Sequence, residues 1–357
     1  MVKIRMNYSV EIFSGQEAQA WDAYVHQHRY GSYCHLSGWK TVVERAYGRP
    51  TYYWLCRDSC GRLVGLLPSV HIKHFLFGNS LVSMPYLDIG GILADNPEIQ
   101  AKLLLEAKKF AASLHIPQVE LRQSWADPPA DDDKNRLPPG FNKVQMILAL
   151  PANSELLFKG FKHYNDIRRE VRKAAKSGLR FVAGGVDLLD SFYEVFAINM
   201  RNLGTPVHSR SFFDQIIRGF KARCEVGVTY LDSKPLAAGI IFYQRNMVSF
   251  PFAVSLRSHN LLKPFPLLKW EFLKKACDLG YEFADFGRST IDSGPYRFKL
   301  RWGAKPFPLH WQVIELGQGT HIMETRSKFS LFSKLWQRLP ITVTKIIGPS
   351  LRKYISL

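Results

Sequence analysis

Cysteine is scarce in this sequence, and the few cysteines are not arranged for chemistry. The chain has 357 residues and five cysteines, at Cys34, Cys56, Cys60, Cys224 and Cys277. An odd number of widely spaced cysteines without a Cys-x-x-Cys pair is typical of reduced thiols, and it argues against a disulfide framework or a zinc site. No local signature surrounds any of them, so we do not expect cysteine catalysis.

The sequence also lacks the long hydrophobic segments that are typical of secretory signals and membrane-spanning helices. Residues 1–8 alternate charged and apolar side chains and lack the hydrophobic core of a secretory signal. The two amphipathic stretches within residues 325–357 do not reach the roughly 18 unbroken apolar residues of a membrane-spanning helix. We therefore expect a cytoplasmic protein.

Acidic residues are few relative to basic ones. There are 48 Lys and Arg residues against 30 Asp and Glu residues, for a formal net charge of +18. Such a balance predicts an anionic partner. The basic stretches contain no helix-turn-helix, zinc-finger or aromatic RNA-binding pattern, so we do not expect sequence-specific DNA binding. Asp131 to Asp133 lack the glycine loop of a calcium site, and we predict no metal.

Two segments carry much of the positive charge. Residues 159–180 hold Arg168, Arg172, Lys173 and Lys176 among other cations, with only two acidic residues. This pattern is typical of a solvated helix face, and also of a surface that holds the phosphates of a carrier lipid, a nucleotide-linked sugar or a transfer RNA. Residues 325–357 contain no acid and predict cationic amphipathic helices on either side of Pro340, which either pack on the protein or bind anionic lipid.

Residues 283–303 concentrate glycine, arginine, lysine, aspartate and aromatic side chains. The segment begins with a strand-like stretch, which follows a helix-like run, residues 267–279, closed by Gly280. Loops at strand ends are where ligands collect in α/β domains. Asp285-Phe286-Gly287 is similar to the magnesium-binding triplet of protein kinases. However, the chain lacks the catalytic loop of kinases, the Val-Ala-Ile-Lys strand that carries their ATP-binding lysine, and the glycine-rich loop. These absences exclude a kinase.

An internal repeat predicts a duplicated architecture. Residues 81–86 recur as residues 247–252, with matched Val, Ser, Pro and aromatic positions. A hairpin-like pair of strands precedes each copy, and an amphipathic helix and a strand follow it. The repeated proline predicts a sheet edge, a bulge, a splay between neighbouring strands or simply a strand end. The length fits two domains of about 150 residues each.

The segment 283–303 resembles the C-terminal signature of the FemAB-like acyltransferases, especially the branch associated with exosortase and exopolysaccharide loci. The resemblance rests on Asp285 to Ser289, Phe298-Lys299 and Trp302-Gly303. Weaker matches to the same family occur along nearly the whole chain, in the order in which the family has them. They are Leu66-Leu67-Pro68, Phe77-Gly78, residues 81–86, Gly90-Gly91, residues 203–207, Leu339-Pro340 and Leu351.

This resemblance implies an α/β (α+β) fold with two tandem GNAT-like domains, each a mixed, mostly antiparallel sheet flanked by helices. We expect the first domain in residues 1–150, the second, with the signature, in residues 151–320, and a basic amphipathic tail in residues 321–357. In GNAT folds the acyl donor lies between two strands that splay apart. The resemblance implies that the repeated proline-containing strand forms such a splay here.

The resemblance further implies an N-acyltransferase, which transfers an acyl or aminoacyl group to an amine. Lys299 is the first candidate catalytic residue, because the matching Phe-Lys element would place positive charge near the donor or the developing oxyanion. Asp285 either acts as a base or orients Arg288, and His208 is a second candidate base. The predicted substrate-binding residues are Arg288, Ser289, Phe298 and Trp302, together with Arg168, Arg172, Lys173 and Lys176.

No permanently bound cofactor is expected, and the acyl donor is either an aminoacyl-tRNA or an acyl-coenzyme A. GNAT enzymes that use acetyl-coenzyme A hold its pyrophosphate on a glycine-containing loop, whereas residues 257–264 at the corresponding place contain no glycine, which favours the tRNA donor. The expected acceptor is an anionic, carrier-linked saccharide or peptide precursor of the cell envelope. We expect the protein to reach it by binding peripherally to anionic lipid at the inner membrane face. A coenzyme A-dependent N-acetyltransferase and a non-catalytic basic scaffold remain as alternatives.

Overall fold

The chain folds into two compact units, each of which is interrupted in sequence. The computed structural model describes residues 7–75, 77–124, 142–161, 165–317, 319–322 and 330–356. Unit 1 comprises Met1–Phe141, Pro308–Thr325 and Tyr354–Leu357, and unit 2 comprises Asn142–Phe307 and Arg326–Lys353. Asp131 to Asp133 lie outside the described residues.

Unit 1 contains a mixed sheet. Its elements, numbered in chain order, are β1 (Ser9–Ile12), α1 (Ala18–Gln27), α2 (Gly38–Tyr47), β2 (Thr51–Arg57), β3 (Leu63–His74), β4 (Gly78–Val82), β5 (Leu93–Ala94), α3 (Pro97–Ser113), β6 (Gln118–Ser124), most of β13 (Lys305–Glu315) and β14 (Gly319–Ile322). The strands pair in the order β1-β2-β3-β4-β6-β13-β14, antiparallel except for the parallel pair β4–β6. β5 pairs with β3.

Helix α3 covers one face of this sheet. Asn96 caps the helix by accepting a hydrogen bond from the Ile99 amide, and Pro97 occupies its first turn, where a missing N–H costs little. Apolar side chains recur every fourth residue along α3 and form one buried cluster with residues of the sheet, namely Ile99, Leu103, Ala107 and Ala111 with Leu67, Leu81 and Val119.

Unit 2 has the same kind of sheet with more helices. Its elements are β7 (Lys143–Ala149), α4 (Ser154–Gly160), α5 (Asn165–Lys176), β8 (Leu179–Gly184), α6 (Leu189–Leu203), α7 (Arg210–Gly219), β9 (Cys224–Leu231), β10 (Lys234–Gln244), β11 (Met247–Ser255), α8 (Pro264–Asp278), β12 (Phe283–Thr290), α9 (Gly294–Arg301), the start of β13, α10 (Ser330–Arg338) and α11 (Ile341–Arg352). The strand order is β8-β9-β10-β11-β12-β7, and β11–β12 is the parallel pair.

The two units repeat one plan, as the duplicated sequence predicts. In each unit an antiparallel hairpin leads to a strand that pairs in parallel with the strand after the next helix: β4, α3 and β6 in unit 1, and β11, α8 and β12 in unit 2. The repeated prolines differ in detail. Pro251 lies inside β11 opposite a bulge in the β10–β11 register, whereas Pro85 lies beyond the end of β4.

The C-terminal helices pack on unit 2. Trp336 of α10 and Arg352 of α11 are 2% and 1% exposed. A Cβ atom added to Gly204, which follows α6, would lie 2.6 Å from the Ser333 carbonyl oxygen, so α10 approaches the end of α6 at backbone contact distance. The amphipathic helices predicted around Pro340 are therefore present, and one side of them is part of the protein core.

No helix within the described residues is long and apolar enough to cross a bilayer.

Candidate active site

The signature residues of unit 2 lie where two parallel strands stop pairing. The ladder between β11 and β12 ends at Ser249 and Asp285. β12 continues along β7 with an irregularity between Asp285 and Arg288, where Gly287 has a φ of +71°. Glycine adopts this left-handed conformation without a Cβ clash. β11 and β12 therefore part after Ser249 and Asp285, while β11 continues along β10 and β12 along β7. We call this end of the β11–β12 pairing the strand end.

Asp285 fixes the start of this segment. Its carboxylate is buried and accepts hydrogen bonds from Gln145 Nε2 at 2.9 Å and from the Gly287 amide at 2.8 Å. Both oxygens are thus engaged by groups of the strand and its neighbour. This geometry favours the positioning role for Asp285 over the role of a base.

Lys299 holds the end of the segment. It lies on α9, which Ser293 caps by accepting a hydrogen bond from the Tyr296 amide. Its ammonium donates to the carbonyl oxygens of Gly287 at 3.0 Å and Arg288 at 2.8 Å. A positive charge is therefore anchored directly at the strand end, supported by the Trp302-Gly303 turn that ends α9.

Arg288 and Ser289 continue β12 along β7, and as successive strand residues they face opposite sides of the sheet. Arg288 is half-buried, whereas Ser289 is 4% exposed. The Ser289 hydroxyl has no hydrogen-bond partner among the described residues. A buried hydroxyl without a protein partner is costly unless water or a ligand satisfies it.

Sequence reasoning missed Lys269 of α8, which is enclosed by aromatic rings. The side chain is 3% exposed, and Nζ lies 3.4 Å from the centroid of the Phe286 ring and 5.0 Å from that of Phe250. Three further ring centroids lie within 6 Å of Nζ, those of Phe265, Phe298 and Trp302. We call these five rings the aromatic box.

The signal for Lys269 is present in the sequence as one lysine on an otherwise apolar helix face. Phe265 precedes it by four residues and Leu273 follows it by four, so all three point to the same side of α8. Burial, and next the positive charge of Lys299, lower the pKa of Lys269 well below its ordinary value, and Asp285 opposes this shift. The lysine therefore belongs electrostatically to the same site.

Phe298 and Trp302 form part of the box. Phe298 is half-buried, and Trp302 is fully buried against Phe161 and Phe286. Because Trp302 has no exposed surface, its placement favours a role in shaping the site over the direct substrate contact that the signature suggested.

The cations of the basic segment lie on α5, next to the signature helix. Arg168, Arg172, Lys173 and Lys176 line an open depression of about 650 Å³. On the same helix Glu170 accepts hydrogen bonds from Lys263 Nζ at 2.9 Å and from Arg301 Nη2 at 3.1 Å. Arg301 is two residues from Lys299, so α5 is tied to the helix that carries the candidate catalytic lysine. Lys162 of the same basic segment lies outside the described residues.

His208 lies away from this cluster, in the core under the C-terminal helices. It is 2% exposed, its ring stacks on Phe212 at 4.6 Å, and its Nε2 accepts a hydrogen bond from Arg352 Nε at 3.0 Å. Burial and the Arg352 charge keep its pKa well below the ordinary value. The placement favours a structural role, and we do not carry His208 forward as a base.

The N-terminus of α8 is poor in the groups that cradle a phosphate. Helix N-termini bind anions through free backbone N–H groups of the first turn. Pro264 and Pro266 fall in that turn and carry no N–H, and Lys263 before them is engaged with Glu170. The first turn of α8 therefore offers fewer donors to a pyrophosphate than an ordinary helix start.

The corresponding place in unit 1 is filled by protein. Arg122 of β6 is fully buried and donates to the carbonyl oxygens of Pro85 and Leu87, each at 2.8 Å, and to the Glu120 carboxylate at 2.8 Å. These bonds bridge the chain that leaves β4 to β6. The duplicated strand end is thus closed in unit 1, and the candidate site is that of unit 2.

Among the described residues, no group of three His, Cys, Asp or Glu side chains is placed to hold a metal ion.

Residues 162–300 match the family described as the acetyltransferase (GNAT) domain. The match spans α5 through most of α9 and includes the strand end, Lys269 and Lys299. No curated protein matches the sequence.

Solved structures with the same architecture include FemX, with a TM-score of 0.65 at 15% identity, covering 91% of this chain and 100% of that chain. A tandem GNAT protein from the clavulanic acid biosynthesis pathway gives 0.52 at 11% identity, covering 88% and 100%. L-PGS from Bacillus licheniformis gives 0.52 at 12% identity, covering 95% and 98%. At these identities the likeness establishes the fold, and the predicted α/β class with tandem GNAT-like domains is confirmed.

Proposed function

We propose that this protein is a FemAB-like N-acyltransferase, which transfers an acyl or aminoacyl group to an amine of an anionic cell-envelope or exopolysaccharide-related precursor. The observation that carries the proposal is the joining of α5 to α9 through Glu170 and Arg301. This contact joins α5, whose cations suit phosphates, to α9, whose Lys299 ammonium is anchored at the strand end. The exosortase-associated branch rests on the signature motif alone.

The chemistry asks for few protein groups. Amide formation needs a neutral amine, a polarised carbonyl and the two reactants held about 3 to 3.5 Å apart. The new C–N bond forms as the ester C–O or thioester C–S bond breaks, and the amine proton leaves with the departing group. Lys299 supplies fixed positive charge where the oxyanion would develop, and Arg288 suits a phosphate or carboxylate of a substrate.

We infer that the donor is an aminoacyl-tRNA rather than an acyl-coenzyme A. The two prolines in the first turn of α8 remove N–H groups from the place where a GNAT enzyme would bind pyrophosphate. The α5 cations suit a polyphosphate backbone, whose binding depends on many charge contacts. The coenzyme A-dependent acetyltransferase remains the second candidate, favoured by the GNAT acetyltransferase match. A basic scaffold without activity is the third.

Reversing charge on α5 tests the proposal. The R172E/K176E variant is expected to weaken binding of uncharged tRNA, measured by filter binding at fixed salt, by about tenfold or more, and to flatten the salt dependence. K221E/K234E is the matched control, because it makes the same charge change at exposed positions of unit 2 that do not line the α5 depression. Equal weakening by both variants would mean that net charge alone governs binding. Tight binding of acyl-coenzyme A with no tRNA affinity would favour the second candidate.

Peripheral contact with anionic membrane is assigned to the outer side of α10 and α11. Leu335 and Ile346 are 65% and 75% exposed there, with basic residues beside them, Lys334, Arg338 and Lys345. Exposed apolar residues flanked by cations are typical of helices that lie on anionic lipid. Deleting residues 325–357 would be a poor test, because Trp336 and Arg352 are part of the core.

Point variants on that side give a cleaner result. L335S/I346S is expected to lower association with phosphatidylglycerol-containing vesicles by about tenfold, since losing apolar contact worth about 1.4 kcal/mol changes an equilibrium by that factor. L261S/L279S removes two similarly exposed leucines elsewhere in unit 2 and should bind like the parent. Unchanged flotation of L335S/I346S with vesicles would contradict the assignment.

A further inference from the structure

Lys269 is a buried amine enclosed by aromatic rings. The five ring centroids of the aromatic box lie between 3.4 and 5.9 Å from Nζ. Trp302 Nε1, in the same box, has no hydrogen-bond partner among the described residues. A buried polar atom without a protein partner calls for an explanation, such as a catalytic role or a bound water molecule or ion.

The position of the amine relates it to the strand end. The last residues of the parallel ladder are Ser249 and Asp285, and the next residue on each strand, Phe250 and Phe286, provides a wall of the box. Phe298 of α9 is also a ring of the box. The next residue, Lys299, donates hydrogen bonds to the Gly287 and Arg288 carbonyls. The box around Nζ is therefore built in part from the residues that directly follow the end of the β11–β12 pairing.

We propose that Lys269 is the general base of the acyl transfer, taking a proton from the attacking amine of the acceptor and returning it to the leaving group. This proposal rests on the proposed function. The neutral acceptor amine attacks the acyl carbon, and as the new C–N bond forms the neutral Lys269 amine takes one proton from that nitrogen. As the ester C–O or thioester C–S bond breaks, the Lys269 ammonium returns the proton to the departing oxygen or sulfur.

The surroundings keep the amine available for this step. Two charged groups act on it from the neighbouring elements, Lys299 from α9 and Asp285 from β12, and β11 contributes the apolar ring of Phe250. Burial and the Lys299 charge disfavour the ammonium, which lowers the pKa of Lys269 well below its ordinary value and favours the neutral amine. Asp285 is already committed to Gln145 and the Gly287 amide.

The rings of the box differ in burial. Phe265 and Phe298 are half-buried, whereas Phe250, Phe286 and Trp302 are buried. A general base must come within hydrogen-bond reach of its proton, directly or through one water, and such contacts often tighten only when substrate binds. In this proposal the acceptor amine reaches Nζ by displacing the two half-buried rings, Phe265 and Phe298.

The test compares K269M and K269R with K274M, which removes an exposed lysine of the same helix. In the reconstituted transfer reaction the parent should gain activity as pH rises through the Lys269 pKa, because the deprotonated amine is the active form. K269M should lose about a hundredfold or more in kcat and also lose this acid limb. K269R keeps the charge but cannot deprotonate, so it should be equally impaired. K274M should match the parent in rate and profile.

A second measurement does not depend on the donor. With lysine labelled with ¹³C at Cε, the signal that disappears in K269M identifies Lys269, and its chemical shift should report a neutral amine at pH 7. A charged Lys269 at that pH, or a K269M variant with the parent's rate and pH profile, would overturn the assignment. If K299A loses transfer while K269M retains it, the base assignment fails and the proposed function stands. If the parent transfers nothing from any donor, both fail.

Discussion

Replacing Lys299 by alanine is expected to lower the turnover of acyl transfer by about a hundredfold or more. The ammonium is held at the strand end by the Gly287 and Arg288 carbonyls. Loss of one preorganised electrostatic donor typically reduces kcat by about 100- to 1,000-fold. Removal of the clamp also frees the Arg288 backbone, which weakens the positioning of its guanidinium. The measurement is single-turnover kinetics with saturating donor.

Two companion variants separate charge from folding. K299R should recover only part of the rate, because a planar guanidinium does not fit the geometry that a compact ammonium makes with two adjacent carbonyls. R297A is the control on the same helix, since Arg297 is exposed and donates to the Asp292 carbonyl at 2.8 Å. It should keep near-parental turnover. If K299A does so as well, the motif marks the fold and not the catalytic site.

The free energy of unfolding of K299A should fall only modestly, by about 1 to 3 kcal/mol for two lost hydrogen bonds from a charged donor. A lysine that pointed into solvent would bury only its stem, and its removal would cost almost nothing. The two backbone carbonyls that Lys299 binds are the reason for the larger cost.

Trp302→Ala is expected to have the largest effect on stability, lowering the free energy of unfolding by about 3 to 5 kcal/mol. Trp302 is among the largest fully buried side chains, and its ring meets Phe161, Phe286 and Phe298. Truncation to alanine leaves a cavity that these rings cannot fill without moving. The cost is measured by urea denaturation at equilibrium.

The milder Trp302→Phe variant should cost less, because it keeps an aromatic ring in the box and leaves a smaller void. It should also retain part of the transfer activity, whereas the alanine variant opens the wall around Lys269. A loss of less than about 1 kcal/mol for Trp302→Ala would show that this part of unit 2 is not packed as described.

Much of the fold follows from local sequence patterns. The hairpin turns, the four-residue spacing of Ile99 and Leu103 on α3, and the repeated Val-Ser-x-Pro strand each specify structure over a few residues. The signature also places Lys299 and Arg288 at a strand end. The signature does not determine the hydrogen-bond partners of its polar groups. Lys299 binds backbone carbonyls, and Asp285 binds Gln145 from a strand about 140 positions away.

The features that sequence reasoning missed depend on contacts between distant segments. Lys269 reads as an ordinary helix lysine until β11, β12 and α9 place rings around it. His208 reads as a loop histidine until Arg352, late in the chain, donates to its ring. The return of residues 308–325 and 354–357 to unit 1 likewise follows from strand pairing and packing that no local pattern contains.

The central claim is that unit 2 catalyses N-acyl transfer, and the most direct measurement is the transfer of label from a defined donor to a membrane-extracted acceptor. The purified protein is incubated with that extract and either tRNA charged with ¹⁴C-amino acids or ¹⁴C-acyl-coenzyme A, and the products are treated with mild alkali before mass spectrometry. An amide survives this treatment, whereas an ester does not. We predict alkali-stable label on an anionic acceptor, dependent on the tRNA donor and absent with K299A. Label that is absent with both donors, or equal for the parent and K299A, would contradict the account.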